Sequence, residues 1–282
     1  MSPSGSIGGG GYQDGGPRMG FPPVTPVAKH LLLANAVVFL LTFALSFDKG
    51  VHSFVTDTAG LAPDSWRSFA PFFPVWQLLT YGFLHSVNDL GHLLFNMLGL
   101  YFFGTMLEGL VGSRRFLVTY LAAVVVGGLT HLIYSFATGA SLPAVGASGG
   151  VLGIIVACAA LQPNAIVYFI LFPVRLKWVA GFIVLMDVFG ILVGLRDGRG
   201  SGTAHWVHLG GAIFGFLWAW RGWIWRDPVS QLEARRARAA QDHEREVELK
   251  VDDLLVKIQR EGLGALSKRE KDFLKKASQR KK

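Results

Sequence analysis

Charge is what the middle of this chain has little of. Only 16% of the 282 residues are charged. Most of them crowd into the last fifty-odd positions, and residues 30 to 225 carry few. With 51% hydrophobic residues and a mean hydropathy of +0.40, this scarcity excludes an ordinary soluble domain. The net charge of +8 describes a tail and short loops. No basic stretch is interleaved with stacking aromatics, so nucleic acid is not an expected partner. Cysteine is nearly absent too. The single Cys158 excludes an intramolecular disulfide framework, and its apolar surroundings mark it as a packing residue. The N-terminal MSPSGSIGGGGYQDGGPRMGFPPVTPV has no basic segment followed by an apolar core. It is read as a disordered tail over residues 1–28 and not as a signal peptide.

Long apolar runs are present instead. A helix needs about 20 apolar residues to cross a bilayer, and candidates fall at roughly 30–47, 89–110, 115–137, 148–163, 177–195 and 204–225. The expected fold class is an all-α membrane protein, a bundle of six transmembrane helices over residues 29–226, followed by a cytoplasmic helical extension over 227–282. Six spans put both termini on one side. Lys29, Arg114, Arg115, Arg175, Lys177, Arg221 and Arg226 fall on that side, against Lys49, Arg67, Arg196 and Arg199 on the other. The excess makes both termini cytoplasmic. Residues 48–88 contain DSWRSFAPFFPVWQLLTYGFLHS, an aromatic density suited to a partly helical loop lying in the outer membrane interface.

Polar side chains within spans are costly, so each is a functional candidate. They are His92, Asn96, Glu108, His131, Ser148, Asp187, His205 and His208. The topology brings His92, Asn96, Ser148, His205 and His208 to the outer ends of three helices, at similar depth. His92 and Asn96, four apart, share a helical face. Gly149 and Gly153, like Gly211 and Gly215, form small-xxx-small pairs that let membrane helices approach closely. Packing through them would bring Ser148 and His208 to one seam, with a serine nucleophile, a histidine base and polar oxyanion donors. His208 has the better register for the base, with His205 left open.

WQLLTYGFLH (76–85), GHLLFNMLGLYFFGTMLEGLVG (91–112), GASGG (146–150) and HLGGAIFG (208–215) together resemble the rhomboid intramembrane serine proteases. The resemblance implies a six-helix bundle that cleaves other transmembrane proteins within the lipid bilayer, with no metal or organic cofactor. Ser148 would match the nucleophile and His208 the base, a dyad lacking an acidic third member. His92, Asn96 and the Ser148 N–H would match the oxyanion donors, and Gly146 belongs with this substrate-binding group. Trp76, Glu108, Gly149, Gly211 and Gly215 would match structural positions, and residues 178 to 193 the lateral way in for substrate. Two positions depart from the pattern of some members. Gln77 stands where they have Arg, and Leu152 where an aromatic would stack on the base. The bacterial character of the resemblance makes a bacterial inner (plasma) membrane the expected location.

The other polar residues receive plainer readings. His131 is a satisfied core histidine, His205 a wall residue of the cavity, and His85 a structural hydrogen-bonder. Asp187 has no intramembrane carboxylate partner for aspartyl chemistry. The HxxH of His205 and His208 is half a zinc site, but there is no HExxH and nearby carboxylate or thiolate ligands are missing. The extension resembles one on some bacterial rhomboids. Val247, Val251, Leu254, Leu255 and Ile258 form one apolar face, Gly262 is a stop, and Ser267 with Glu270 reads as a capping box. It is expected to bind a cytoplasmic partner or lipid headgroups. The alternative to a protease is a non-catalytic protein that binds membrane helices.

Overall fold

The computed structural model describes residues 22–169, 172–197, 205–225 and 228–280. Most of the expected N-terminal tail, together with Arg199 and Arg226 of the orientation count, lies outside them. The chain runs through α1 (Pro26–Leu45), α2 (Lys49–Ala59), α3 (Pro63–Ser68), α4 (Gln77–Thr80), α5 (Leu90–Val111), α6 (Ser113–Thr138) and α7 (Ser148–Leu161). A hairpin of β1 (Ile166–Phe169) and β2 (Phe172–Arg175) follows. Then come α8 (Leu176–Asp197), α9 (His205–Trp220), α10 (Pro228–Glu261) and α11 (Lys268–Arg280).

Each of the six expected spans falls on a helix. Among the described residues, four of these helices, α1, α5, α6 and α8, are long and apolar enough to cross a membrane. Helices α7 and α9 are shorter, at 14 and 16 residues. The shortness of α7 follows from its place. Gly149 through Ala159 are all buried, so this helix is enclosed by protein and need not match the thickness of the hydrocarbon. The all-α expectation misses the hairpin, where Ile166 pairs with Arg175 and Phe169 with Phe172 in antiparallel register. Its first strand, IVYF, is β-branched and aromatic throughout, a composition that favours strand.

The glycine pairs do what their spacing suggests. A Cβ at Gly211 would run into the carbonyl oxygen of Gly149, and one at Gly215 into that of Gly153. Helices α7 and α9 therefore touch backbone to backbone. Glu108 ties the opposite end of α5 to its neighbours. Its carboxylate accepts from the Thr25 hydroxyl (2.5 Å), the Val27 and Ala28 N–H groups (3.0 and 2.9 Å) and the Ser113 hydroxyl (2.6 Å). One side chain thus satisfies donors in the first turns of α1 and α6. Cys158 is buried, with its thiol 3.6 Å from the Phe103 carbonyl.

The chain divides into two compact units after Trp225. The second is a helical hairpin. Glycine 262, at φ +83°, ends α10, and the capping box opens α11. The Glu270 carboxylate accepts from the Ser267 N–H (2.7 Å), and the Ser267 hydroxyl accepts from the Glu270 N–H (3.3 Å). On the expected apolar face, Leu254 is buried but Leu255 is exposed, because Leu255 sits about 100° further round the helix.

Candidate active site

The stretch leading into Ser148 is held by the loop of residues 48–88. Leu61 and Ala144 exchange both backbone hydrogen bonds (3.0 and 2.9 Å), and the Gly146 N–H donates to the Tyr81 carbonyl (2.9 Å). Asp64 accepts from the Ser141 hydroxyl (2.8 Å), and Arg67 donates to the carbonyls of Ser135 (2.6 Å) and Ala140 (3.0 Å). The Ser141 hydroxyl, and then Arg67, hold the Asp64 carboxyl below its usual range. Gln77 organises the loop itself. It is 1% exposed. Its Oε1 accepts from Ala62 N–H (3.2 Å) and Trp66 Nε1–H (3.1 Å), and its Nε2 donates to the carbonyls of Asp57 (2.9 Å) and Thr58 (3.3 Å). A neutral amide, donor at one end and acceptor at the other, thus fills the position where some rhomboids have Arg. Trp76 is half-exposed and donates from Nε1 to Thr58 (2.9 Å).

Ser148 is the first residue of α7, and its hydroxyl does not cap the helix. The Oγ lies 2.7 Å from His208 Nε2, the geometry of a hydroxyl donating to an imidazole. On the far side of the ring, His208 Nδ1–H donates to Asp187 Oδ1 at 2.8 Å. His205 Nδ1 reaches the same oxygen at 2.6 Å. Two expectations are corrected here. The HxxH of His205 and His208 does have a carboxylate within reach, Asp187 of α8. The Ser148–His208 pair also has an acidic third member. Leu152, buried on α7, presents no ring to stack on His208, and Asp187 supplies the orienting contact from α8. Likewise His205 is more than a wall residue, because it shares that carboxylate.

Ser148, His92, His131, His205 and His208 line a cavity of ≈ 740 Å³. His92 caps into its own helix, its N–H donating to Asp89 Oδ1 (2.9 Å). Its ring packs on Gly146, where a Cβ would fall 2.5 Å from Cε1 and where φ is +125°. Only glycine fits that backbone and that ring together. His131 donates from Nε2 to the Leu142 carbonyl (2.9 Å). Asn96 is the site residue that the structure sets apart. It is buried but does not line the cavity, and its Nδ2 donates to His85 Nε2 (3.2 Å). The same nitrogen faces the Ala147 N–H at 3.4 Å. His85 therefore joins Asn96 to the residue before Ser148. Burial, and secondarily the His92 ring, pushes the His85 imidazole down to about 4, so Nε2 keeps its lone pair as acceptor. Only its buried position, invisible in sequence, distinguishes His85 from an ordinary loop histidine.

The arrangement can deprotonate a serine hydroxyl that lines the cavity. The N–H groups in the first turn of α7 have no partners within the helix and lie at its positive end, where they favour developing negative charge.

A family model described as "Rhomboid domain" matches residues 73–224. RHOMBOID-like protein 12, mitochondrial, of Arabidopsis thaliana is 31% identical over 68% of this chain and 57% of its own length. Rhomboid protein 1, mitochondrial, of Saccharomyces cerevisiae is 32% identical over 56% of this chain and 45% of its own. Presenilin-associated rhomboid-like protein, mitochondrial, of Rattus norvegicus is 28% identical over 72% of this chain and 51% of its own. The chain spans about half the length of the curated relatives it matches. The names of these relatives overturn the expectation of a bacterial plasma membrane. Charge bias in loops reports sidedness and carries no information about which organelle holds the membrane.

Proposed function

Because a Rhomboid domain covers residues 73–224, the chain belongs to the rhomboid family, and we propose that it is an intramembrane serine endopeptidase of a mitochondrial membrane, cutting the membrane-spanning segments of other proteins. The observation that carries this reading is the run of hydrogen bonds from Ser148 Oγ through His208 to Asp187. Ser148 Oγ attacks the scissile carbonyl carbon while His208 Nε2 takes its proton. Asp187 holds the ring in the tautomer that leaves Nε2 free to accept, and stabilises the imidazolium that forms. The oxyanion is received by the Ser148 N–H at the start of α7 and by His92 across the cavity, with Asn96 and His85 steadying the backbone beneath. Removing one such donor costs on the order of 10²-fold in kcat. The proton then passes to the leaving amide nitrogen, and water admitted through the cavity hydrolyses the acyl-enzyme and restores Ser148. An intact substrate helix hides its carbonyls in its own hydrogen bonds, so segments that unwind easily are cut best.

The test is covalent labelling. A serine-reactive fluorophosphonate should modify one site, Ser148, in the full chain, as read by mass spectrometry. Labelling should vanish in Ser148→Ala and fall sharply in His208→Ala. Equal labelling of His208→Ala and wild type would remove His208 from the mechanism.

A further inference from the structure

The proposed chemistry uses one histidine on Asp187, yet two are there. We infer that Asp187, His205 and His208 form an inhibitory site for a divalent transition-metal ion, zinc above all, which silences the Ser148–His208 pair on which the protease reading rests.

The ligand atoms are already gathered. Asp187 Oδ1 and the Nδ1 atoms of His205 and His208 all lie within 4.8 Å of one another. The two Nδ1···Oδ1 separations are 2.6 and 2.8 Å. Zinc holds imidazole nitrogen and carboxylate oxygen at about 2.0–2.2 Å, so donor atoms of a tetrahedral site stand roughly 3.3 Å apart. Opening these two gaps by about 0.5–0.7 Å, and bringing the two Nδ1 atoms, within 4.8 Å of each other, to the same spacing, takes side-chain rotations of the two histidines. The histidines are three apart in the first turn of α9, hence on one face, and the carboxylate comes from α8. This is the carboxylate that the HxxH pattern lacks in the linear sequence. His205 is also fixed in place. Its Nε2 edge packs on Gly190, where a Cβ would collide with the ring, so Nδ1 is the nitrogen turned to Asp187. Both histidines line the cavity, which gives an ion a way in and leaves water for the fourth position. A two-imidazole, one-carboxylate set favours Zn²⁺ over Mg²⁺ or Ca²⁺, which prefer oxygen ligands throughout.

Inhibition follows from the tautomer. With a metal on the Nδ1 lone pair, a neutral His208 carries its proton on Nε2. That proton points at Ser148 Oγ, so Nε2 no longer accepts the hydroxyl proton and the base is lost. The Nδ1 proton has moved to Nε2, and no net charge leaves the ring. The ion also takes the Asp187 oxygen that would stabilise an imidazolium.

Two readouts test this. In the first, full-length Ser148→Ala in detergent micelles is dialysed against zinc chloride with excess magnesium. One zinc should bind per chain, at least about 10-fold more weakly once His205→Asn is added. The asparagine amide keeps a donor for Asp187 but removes the metal-binding nitrogen, so a folding defect does not mimic the result. In the second, zinc should inhibit reporter cleavage by wild type, and EDTA should restore it. His205→Asn, compared with its own metal-free rate, should need at least about 10-fold more zinc. Unchanged zinc affinity in His205→Asn, or no stoichiometric binding, overturns the site. Zinc bound through His205 by a protein that never cleaves would sink the protease reading, and inhibition with it, while leaving the metal site. Cleavage that zinc does not affect would keep the protease reading and overturn the inhibition.

Discussion

At the scale of single residues, Asp187 separates this site from a bare Ser–His pair. Its carboxylate reaches His208 Nδ1 at 2.8 Å, and that bond decides which ring nitrogen faces Ser148. Replacing the carboxylate with an amide offers a donor where the ring also donates, and favours the wrong tautomer. Asp187→Asn should lower kcat on the order of 10²–10⁴-fold with KM little changed, and Asp187→Glu should recover part of the loss; steady-state kinetics on a reporter checks both. His85 gives a prediction in pH. Its pKa is depressed to about 4 from a reference near 6.5, so above about pH 6.5 it is neutral folded or unfolded. As pH falls from 6.5 towards 4, the unfolded chain takes up a proton that the folded one refuses, and stability declines. His85→Gln should lose stability at pH 7 yet show a flatter dependence between pH 7 and 5, measured by thermal unfolding in micelles. Ser148, His92 and His208 were legible in the sequence because polar residues are rare in apolar runs and these fall at matched depth. Asp187 is visible in the sequence, but its contacts with two histidines are not. Its partners lie on α9, and a linear search for a second carboxylate could not find two histidines. Asn96 is legible only in part. Spacing places it on the face of His92, but spacing does not reveal that its Nδ2 donates to His85.

At the scale of elements, the site depends on how closely α7 and α9 approach. The carbonyls of Gly149 and Gly153 occupy the places where side chains of Gly211 and Gly215 would begin. Gly211→Ala must push the two helices apart, and overpacking of this kind costs about 1–3 kcal/mol. We expect a lower thermal midpoint in micelles, together with weakened fluorophosphonate labelling of Ser148. Gly109→Ala, with nothing near its absent Cβ, should change neither. The seam was readable from the two small-xxx-small pairs. The loop was not. Aromatic content marks residues 48–88 as interfacial, but nothing in it foretells that Gln77 joins Ala62, Trp66, Asp57 and Thr58. Nor does it foretell that Leu61 pairs with Ala144. The β hairpin was missed because a short apolar run between longer ones carries no periodicity of its own.

At the scale of the whole molecule, every group assigned to the reaction lies in the first unit, before Trp225. The helical hairpin of α10 and α11 supplies none. A chain ending after Trp225 should therefore cleave a reporter within a few-fold of the full-length rate in the same liposomes. A loss beyond about 10-fold, more than 1.4 kcal/mol in the barrier, would mean that the hairpin acts on the membrane unit. Topology was largely open to sequence reading, since apolar length is a strong signal. The count of crossing helices was less so, because α7 and α9 are shorter than a bilayer requires. For α7, enclosure by its neighbours keeps the helix in place.

The most direct measurement is cleavage of a single-span reporter reconstituted in liposomes with the full chain, with EDTA present throughout, by wild type, Ser148→Ala and His208→Ala. Wild type alone should cut within or beside the reporter's membrane segment, insensitive to the chelator. Cleavage by Ser148→Ala at the wild-type rate, or cleavage that EDTA abolishes, would contradict a metal-free serine mechanism.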